Sequence, residues 1–420
     1  MKIAIASDIY YPMTNGVAVF SHNLALGLVK RGHEVLVIAP SFDGKFHIDN
    51  DNGIKTVHLT SAKFPFYPDQ INAVPERKEI LGLPMPRLAY KNGIWWSTRA
   101  LTEVKKVLDD FNPDVIHLQT AETIALAIMH YVRKHNTPLV TTGHAYPDNI
   151  TGQFKFLKPV KKPVDATVRA YMASFLKHAE YATMPTEMAI EDLVPKNRKH
   201  FKVPVEALSN GVDLSEYKPG KPSTEILEKY HINMKVPRVL YVGRVDPEKS
   251  IENVVEAFSI ASKSVTGAEF LIVGDGIARP ALEKLVVEKN LGDKVKFLGR
   301  VMPPDLYEIY KTGTLFATAS ETETQGIVLI EASATGLPLV AVDAGAVKEL
   351  CQNKRNGILC KPGNITQMAK AMVEILSDKT LREQYGKESL EIAKSHDINH
   401  TLSRFEEIYQ TAIKLADKKK

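Results

Sequence analysis

The sequence predicts an α/β protein built from two doubly wound domains. Three observations lead there. Short apolar runs alternate with amphipathic segments of helical length along most of the chain, the pattern of parallel strands joined by crossover helices. The alternation begins again around Asn210-Gly211-Val212-Asp213, so the plan is used twice. The 420 residues, 44% hydrophobic and 25% charged, provide for two or three domains and the apolar material of their cores.

Residues 2–7 form the first expected strand. Their apolar run is too short for a signal peptide, and Asp8 ends it. Tyr10 to Gly16 is a turn whose Asn15-Gly16 pair can take left-handed backbone angles. Residues 17–31 carry a helical pattern stopped by Gly32, and 33–39 return as a strand. Residues 41–100 are less regular, with Phe64, Phe66, Tyr67, Trp95 and Trp96 among prolines and glycines. Strands follow at 113–118 and 139–144. In the second half, strands are expected at 238–242, 270–273, 295–298, 315–317, 339–342 and 357–359, with a helix reaching Ala261. Residues 401–420 are helical and end in lysines. Sheets of this kind are parallel and covered by helices on both faces.

No stretch approaches the ~20 apolar residues that span a bilayer. Cys351 and Cys360 are the two cysteines, too few for a disulfide scaffold or a cysteine zinc site, and the cytoplasm is the expected compartment. Residues 1–205 hold 25 Lys and Arg against 19 Asp and Glu, a surplus of +6, and the remainder holds 29 against 30. An asymmetry of that sign can mark a membrane or nucleic-acid surface.

The stretch 320–338 carries the chemistry most plainly. A polar loop with Glu323, Thr324, Gln325 and Gly326 joins the 315–317 strand to a helix from Ile327 to Ala334, which Gly336 and Pro338 stop. A strand end facing a helix N-terminus is where open α/β sheets bind ligands, and its amides favour an anion. Glu331 lies roughly 8 Å further along that helix, at ~1.5 Å per residue, so the two carboxylates can grip different parts of one ligand. Arg244 and Lys249 follow the strand at 238–242, a planar fork and a mobile point charge suited to phosphate oxygens. Gly274-Asp275-Gly276 partly matches a dinucleotide fingerprint, but Arg279 stands where the third glycine belongs. No P-loop, nucleophile elbow, zinc-binding helix or obvious His/Asp metal cluster is present. His144, after Gly143 at a strand end, can donate a hydrogen bond or shuttle a proton. Residues 153–178 interleave Lys155, Lys158, Lys161, Lys162, Arg169 and Lys177 with apolar side chains against the single acid Asp165. Such a basic amphipathic stretch suits a lipid interface, each cation contributing about 1 kcal/mol near an anionic surface. The cations are too few for a nucleic-acid surface.

Taken together, these motifs resemble the retaining glycosyltransferases of family 4, with their GT-B architecture of two facing Rossmann-like domains. The resemblance runs through Asn15-Gly16, Gly143-His144, Asn210 to Asp213, Gly243-Arg244 to Lys249, Val273 to Gly276, and the paired glutamates Glu323 and Glu331. It implies an acceptor-binding domain at 1–205, a nucleotide-sugar domain at 206–398, and a helix at 399–420 returning to the first domain. Arg244 and Lys249 would neutralise the departing diphosphate without a metal or other cofactor. Glu331 would hold the ribose, and Glu323, with Thr324, Gln325 and Gly326, the donor sugar. Gly16 and Gly274 would lie against the donor, and His144 would contact the sugar. Domain closure would assemble the site.

Many family members carry a phenylalanine-glycine pair where this chain has Thr324-Gln325-Gly326. That variant, with His144, Tyr146, Asp148 and the basic segment, looks similar to diacylglycerol glucosyltransferases. The resemblance then implies UDP-glucose as donor, a membrane lipid as acceptor, and peripheral association with an anionic cell membrane. Tyr10, Tyr146, Asp148, Lys155, Lys158, Lys161, Lys162 and Arg169 fall on the acceptor or membrane side. The alternatives are a soluble sugar, inositol or polysaccharide acceptor, or a sugar-nucleotide epimerase on the same architecture.

Overall fold

The computed structural model describes residues 1–13, 15–63, 95–144, 161–194 and 201–418, together with the backbone of two short strands at Glu79–Ile80 and Leu83–Pro84. The chain divides into two compact units, Met1–Asn210 with Asn399–Lys420, and Gly211–Ile398.

In the first unit, β1 (Lys2–Ala6), β2 (Glu34–Pro40), β3 (His47–Asp51), β4 (Ile54–Leu59), β5 (Val115–Leu118), β6 (Leu139–Thr142), β7 (Tyr181–Met184) and β8 (Val205–Ala207) make one sheet. Its order is β8-β7-β6-β5-β1-β2-β4-β3. Every neighbouring pair is parallel except β3 with β4. The inner strands read as continuous apolar runs because both faces are covered, and Ile3, Ile5, Val37, Ile116 and Val140 are fully buried. Strand order reverses between β1 and β5, which opens a crevice at their carboxyl ends.

The second unit holds β9 (Arg238–Val242), β10 (Glu269–Val273), β11 (Val295–Gly299), β12 (Leu315–Ala317), β13 (Leu339–Val342) and β14 (Gly357–Cys360), all parallel, in the order β11-β10-β9-β12-β13-β14. This is the doubly wound order of dinucleotide-binding folds, with its switch point between β9 and β12. Cys351 and Cys360 are both free and buried.

Three local expectations need correction. A boundary after residue 205 would cut β8, whose Val205 and Ala207 pair with Ala182 and Met184; the division falls at Asn210 and Gly211 instead. Asn15 is not left-handed: at φ −112° it is extended, and its side chain accepts the Ala18 N–H as an N-cap, with Gly16 as first residue of the helix Gly16–Lys30. Residues 47–59 are a regular hairpin, not irregular chain.

The last helix, Ile398–Asp417, is held by the first unit from Asn399 onward. Phe405 and Tyr409 are buried there, and Tyr409 Oη lies 2.8 Å from His117 Nδ1. Arg404 grips Glu206 of β8 through two nitrogens at 2.8 and 2.7 Å, a bidentate geometry that adds direction to the apolar packing. A side chain at Gly27 would strike Leu402, so the two helices touch closely there.

Candidate active site

The switch point of the second sheet brings together two loops that lie far apart in sequence. β9 runs out at Gly243, whose φ of +151° lets the chain leave the strand. Pro247 to Lys249 then make one tight 3-10 turn before the helix Ile251–Ala261. From β12 the chain passes through Glu323 to Gly326, which at φ +83° opens the helix Ile327–Ala334 with no side-chain cap. Lys249 Nζ lies 2.6 Å from Glu323 Oε1, with the side chains 15% and 18% exposed. Burial alone would raise the Glu323 carboxyl; the charge and hydrogen bond of Lys249 outweigh it and hold the group below its ordinary value. The backbone of that loop is braced by the turn after β13: Glu323 O accepts the Ala346 N–H, and a Cβ on Gly345 would press against Glu321 O and Glu323 O. The Arg244 guanidinium is paired with Asp246 and Glu248. Both expected phosphate-binding cations are therefore paired with neighbouring carboxylates.

Glu331 is the fifth residue of the Ile327–Ala334 helix. Its carboxylate accepts a hydrogen bond from Tyr310 Oη at 2.6 Å. Burial pushes its pKa up to about 7 against the lowering effect of Tyr310 and Tyr217. Gln325 is buried and Thr324 half-buried.

Gly274 and Gly276 serve backbone approach. A Cβ on Gly274 would sit 1.8 Å from Gly243 O, and one on Gly276 2.3 Å from Val245 O. Only glycine lets the ends of β9 and β10 touch there. The amides that follow are occupied: Gly276 N–H donates to Asp275 Oδ1 and Ile277 N–H to Asp246 Oδ1. This loop is a packing joint.

In the first unit His144 follows β6, with Nε2 2.7 Å from Gln119 Oε1 and its ring 5.1 Å from that of Phe20. Burial lowers its pKa to about 3, so the ring is neutral. Gly16 is exposed at the head of its helix. Tyr10 is 4% exposed and bonded to His22 at 3.2 Å, so it offers no surface to a membrane. Lys161 pairs with Asp165 at 2.7 Å and Arg169 with Asp192 at 3.0 Å, while Lys162 is exposed. Met172, Phe175 and Leu176 of the same helix, Lys161–Lys177, are buried in the unit's own core, which withdraws that apolar face from lipid. Tyr146, Asp148, Lys155 and Lys158 lie outside the described residues.

Two groupings escape the sequence reading. Asp8 is buried at the carboxyl end of β1 and accepts the Ile124 N–H and the Thr123 hydroxyl. Near it, burial and the Asp8 charge push Glu122 up to about 8. Asp8 reads in sequence only as the end of a strand. His47, Asp49 and His58 also converge, their ligand atoms within 4.8 Å of one another, where the sequence offers no obvious metal cluster.

Two family models match the chain: Glycosyltransferase Family 4 over residues 14–216 and Glycosyl transferases group 1 over residues 222–391. The chain is a family 4 glycosyltransferase. Among its relatives is the alpha-monoglucosyldiacylglycerol synthase of Acholeplasma laidlawii, 26% identical, matched over 85% of this chain and 84% of that protein. A GDP-mannose-dependent alpha-mannosyltransferase of Mycobacterium tuberculosis is likewise 26% identical, over 86% and 84%. Solved structures share the fold: sucrose-phosphate synthase from Thermosynechococcus elongatus at TM-score 0.76 and 19% identity, covering 97% and 98%, and Anabaena HepE in complex with UDP-glucose at 0.72 and 18%, covering 98% and 100%. The glycosyltransferase thus has the GT-B fold, and Lys249 and Glu323 of its basic and acidic motifs meet at the switch point of the second sheet.

Proposed function

We propose that this glycosyltransferase moves glucose from UDP-glucose to a hydroxyl of diacylglycerol or another membrane lipid, with retention of the α configuration. The observation that carries the reading is the Lys249–Glu323 pair at the β9/β12 switch point. A diphosphate arriving there draws Lys249 and Arg244 away from their carboxylates. Glu323, released from Lys249, accepts hydrogen bonds from the hydroxyls of the donor sugar, and Glu331 accepts them from the ribose. The uncapped N-terminus of the Ile327–Ala334 helix adds its amides to the phosphates. These groups serve the leaving diphosphate without a metal.

In the transfer step the acceptor oxygen bonds to the anomeric carbon as the bond from that carbon to phosphate breaks. The acceptor proton passes to a phosphate oxygen on the same face. Catalysis then rests on positioning and charge stabilisation. His144, with its Nε2 committed to Gln119, presents a neutral Nδ1 that accepts a hydroxyl hydrogen bond.

The lipid acceptor is supported by the Acholeplasma relative's name and by Thr324-Gln325 beside Glu323. Exposed Lys162 supports a peripheral place on an anionic membrane face. No described helix is long and apolar enough to cross a membrane. The equal identity of the mannosyltransferase favours GDP-mannose as the competing donor. Turnover of each donor with diacylglycerol in anionic vesicles, with soluble sugars, and with no acceptor tests the reading. UDP release that requires the lipid is expected. Release only with a soluble acceptor overturns the lipid assignment, and conversion of the donor without acceptor points to an epimerase.

A further inference from the structure

We propose that His47, Asp49 and His58 form a binding site for a divalent transition-metal ion, zinc foremost, on the edge hairpin of the first unit. The hairpin itself puts the three together. Asn52 and Gly53 both have positive φ, 51° and 82°, the backbone of a two-residue turn that Asn-Gly favours. With Asp51 paired to Ile54, the antiparallel register places Asp49 opposite Thr56 and His47 opposite His58. Side chains alternate along a strand, so His47, Asp49 and His58 share one face.

Their ligand atoms then converge. Asp49 Oδ2 lies 3.6 Å from His47 Nε2 and 3.4 Å from His58 Nε2. The two rings are stacked, 4.4 Å apart between centroids and 15° from parallel. The outer nitrogens are engaged as well: His47 Nδ1 lies 3.0 Å from Lys45 O and His58 Nδ1 3.4 Å from Pro40 O. A carbonyl oxygen only accepts, so each Nδ1 carries a hydrogen and each Nε2 is the atom left on the Asp49 side. Two imidazole nitrogens and a carboxylate oxygen thus lie within 4.8 Å of one another, a donor set that a cation can bridge. A tetrahedral zinc ion with bonds of ~2.0–2.1 Å sets its ligand atoms about 3.3–3.4 Å apart; the two carboxylate–imidazole separations are near that, and a turn of the stacked rings out of parallel would bring both Nε2 lone pairs onto one ion. Backbone carbonyls behind both rings are the support that fixes a ligating tautomer. Two imidazoles and one carboxylate favour zinc or its neighbours over magnesium or calcium. The remaining coordination position opens to water beside Asp49, which is 63% exposed.

The site lies on β3, the last strand of the sheet, whose single neighbour is β4. Metal there clips the edge strand down at the carboxyl-end rim of the first sheet. It takes no part in the transfer step, whose cations belong to the second unit. The alternative that satisfies the same geometry is a proton on each Nε2, and it predicts no metal uptake.

The test uses the full-length, tag-free protein, stripped with a chelator and titrated with zinc against a chromophoric indicator. Cobalt titration gives a second readout through the visible bands of a four-coordinate ion. One equivalent is expected, with a zinc-dependent rise in melting temperature. His47→Gln and His58→Gln should each raise the Kd at least about tenfold and abolish that rise. His47 is 38% exposed, so its variant keeps the fold, and circular dichroism checks both. Absence of saturable uptake, or one equivalent bound equally well by both variants, overturns the proposal.

Discussion

Replacing Glu331 by glutamine should make this glycosyltransferase more stable at pH 8 and a poorer binder of its donor. The carboxyl is pushed by burial from 4.5 to about 7. At roughly 1.4 kcal/mol for each tenfold change in proton affinity, that displacement is worth about 3 kcal/mol. Its sign follows from linkage. Below pH 4.5 the group is protonated folded and unfolded, and nothing is lost. Between 4.5 and 7 the unfolded chain ionises while the folded chain keeps its proton, so stability declines; above 7 the full penalty stands. Glutamine cannot ionise and still accepts the Tyr310 hydrogen bond, so it escapes the penalty. Because the carboxylate is half-buried, water reduces the gain, and about 1–2 kcal/mol is expected at pH 8, vanishing near pH 4.5. Urea unfolding at the two pH values reads it. In the proposed donor site the same change would remove an ionised acceptor from the ribose hydroxyls, at about 1.5–3 kcal/mol, so the Kd for UDP should rise about 10- to 100-fold by calorimetry. A variant less stable at pH 8 with unchanged UDP affinity would show that Glu331 merely braces Tyr310, and the donor-site reasoning would fail.

Lys249→Ala should lower kcat about 100- to 1000-fold in steady-state assays, and melting should show about 1–3 kcal/mol of lost stability, below the ~3–5 expected for breaking a fully buried pair. Gly274→Ala, at φ +133° with its Cβ 1.8 Å from Gly243 O, should cost more than about 3 kcal/mol or abolish soluble expression. Gly292→Ala, with open space around it, should stay within about 1 kcal/mol in the same melts. His144→Gln should reduce kcat/KM without moving the pH profile between 5 and 8, because the wild-type ring, with its pKa at about 3, is already neutral there. The stability linked to His144 is present above pH 6.5 and is lost as pH falls toward 3, which acid titration of wild type and variant compares.

The sequence reading reached the second unit almost whole. Its strands are buried on both faces, so Arg238–Val242 and Leu339–Val342 appear as plain apolar runs, and Gly326 and Gly336 mark the ends of the Ile327–Ala334 helix. The hairpin at 47–59 was hidden because β3 is an edge strand with His47 half-buried and the next four residues exposed, a polar stretch without apolar alternation. Asn52-Gly53 was the available signal, and the register it sets would have paired His47 with His58. At Asn15-Gly16 the same dipeptide does a different job, because the helical pattern that follows makes Asn15 a cap. The motifs named Glu323, Lys249, Arg244 and Glu331 as site residues. They could not show that Lys249 and Glu323 bind each other, since that contact spans 74 residues and depends on which strands become neighbours. The burial of Tyr10 and of the 172–176 face was equally out of reach, because spacing alone does not say what an apolar face packs against.

The most direct test is single-turnover product analysis by mass spectrometry, with enzyme, UDP-glucose and diacylglycerol in anionic vesicles. The account predicts one hexose added to the lipid and one UDP released, an α-configured product by proton NMR, and loss of both products in Glu323→Ala. A β-configured product, or undiminished transfer by Glu323→Ala, would contradict it.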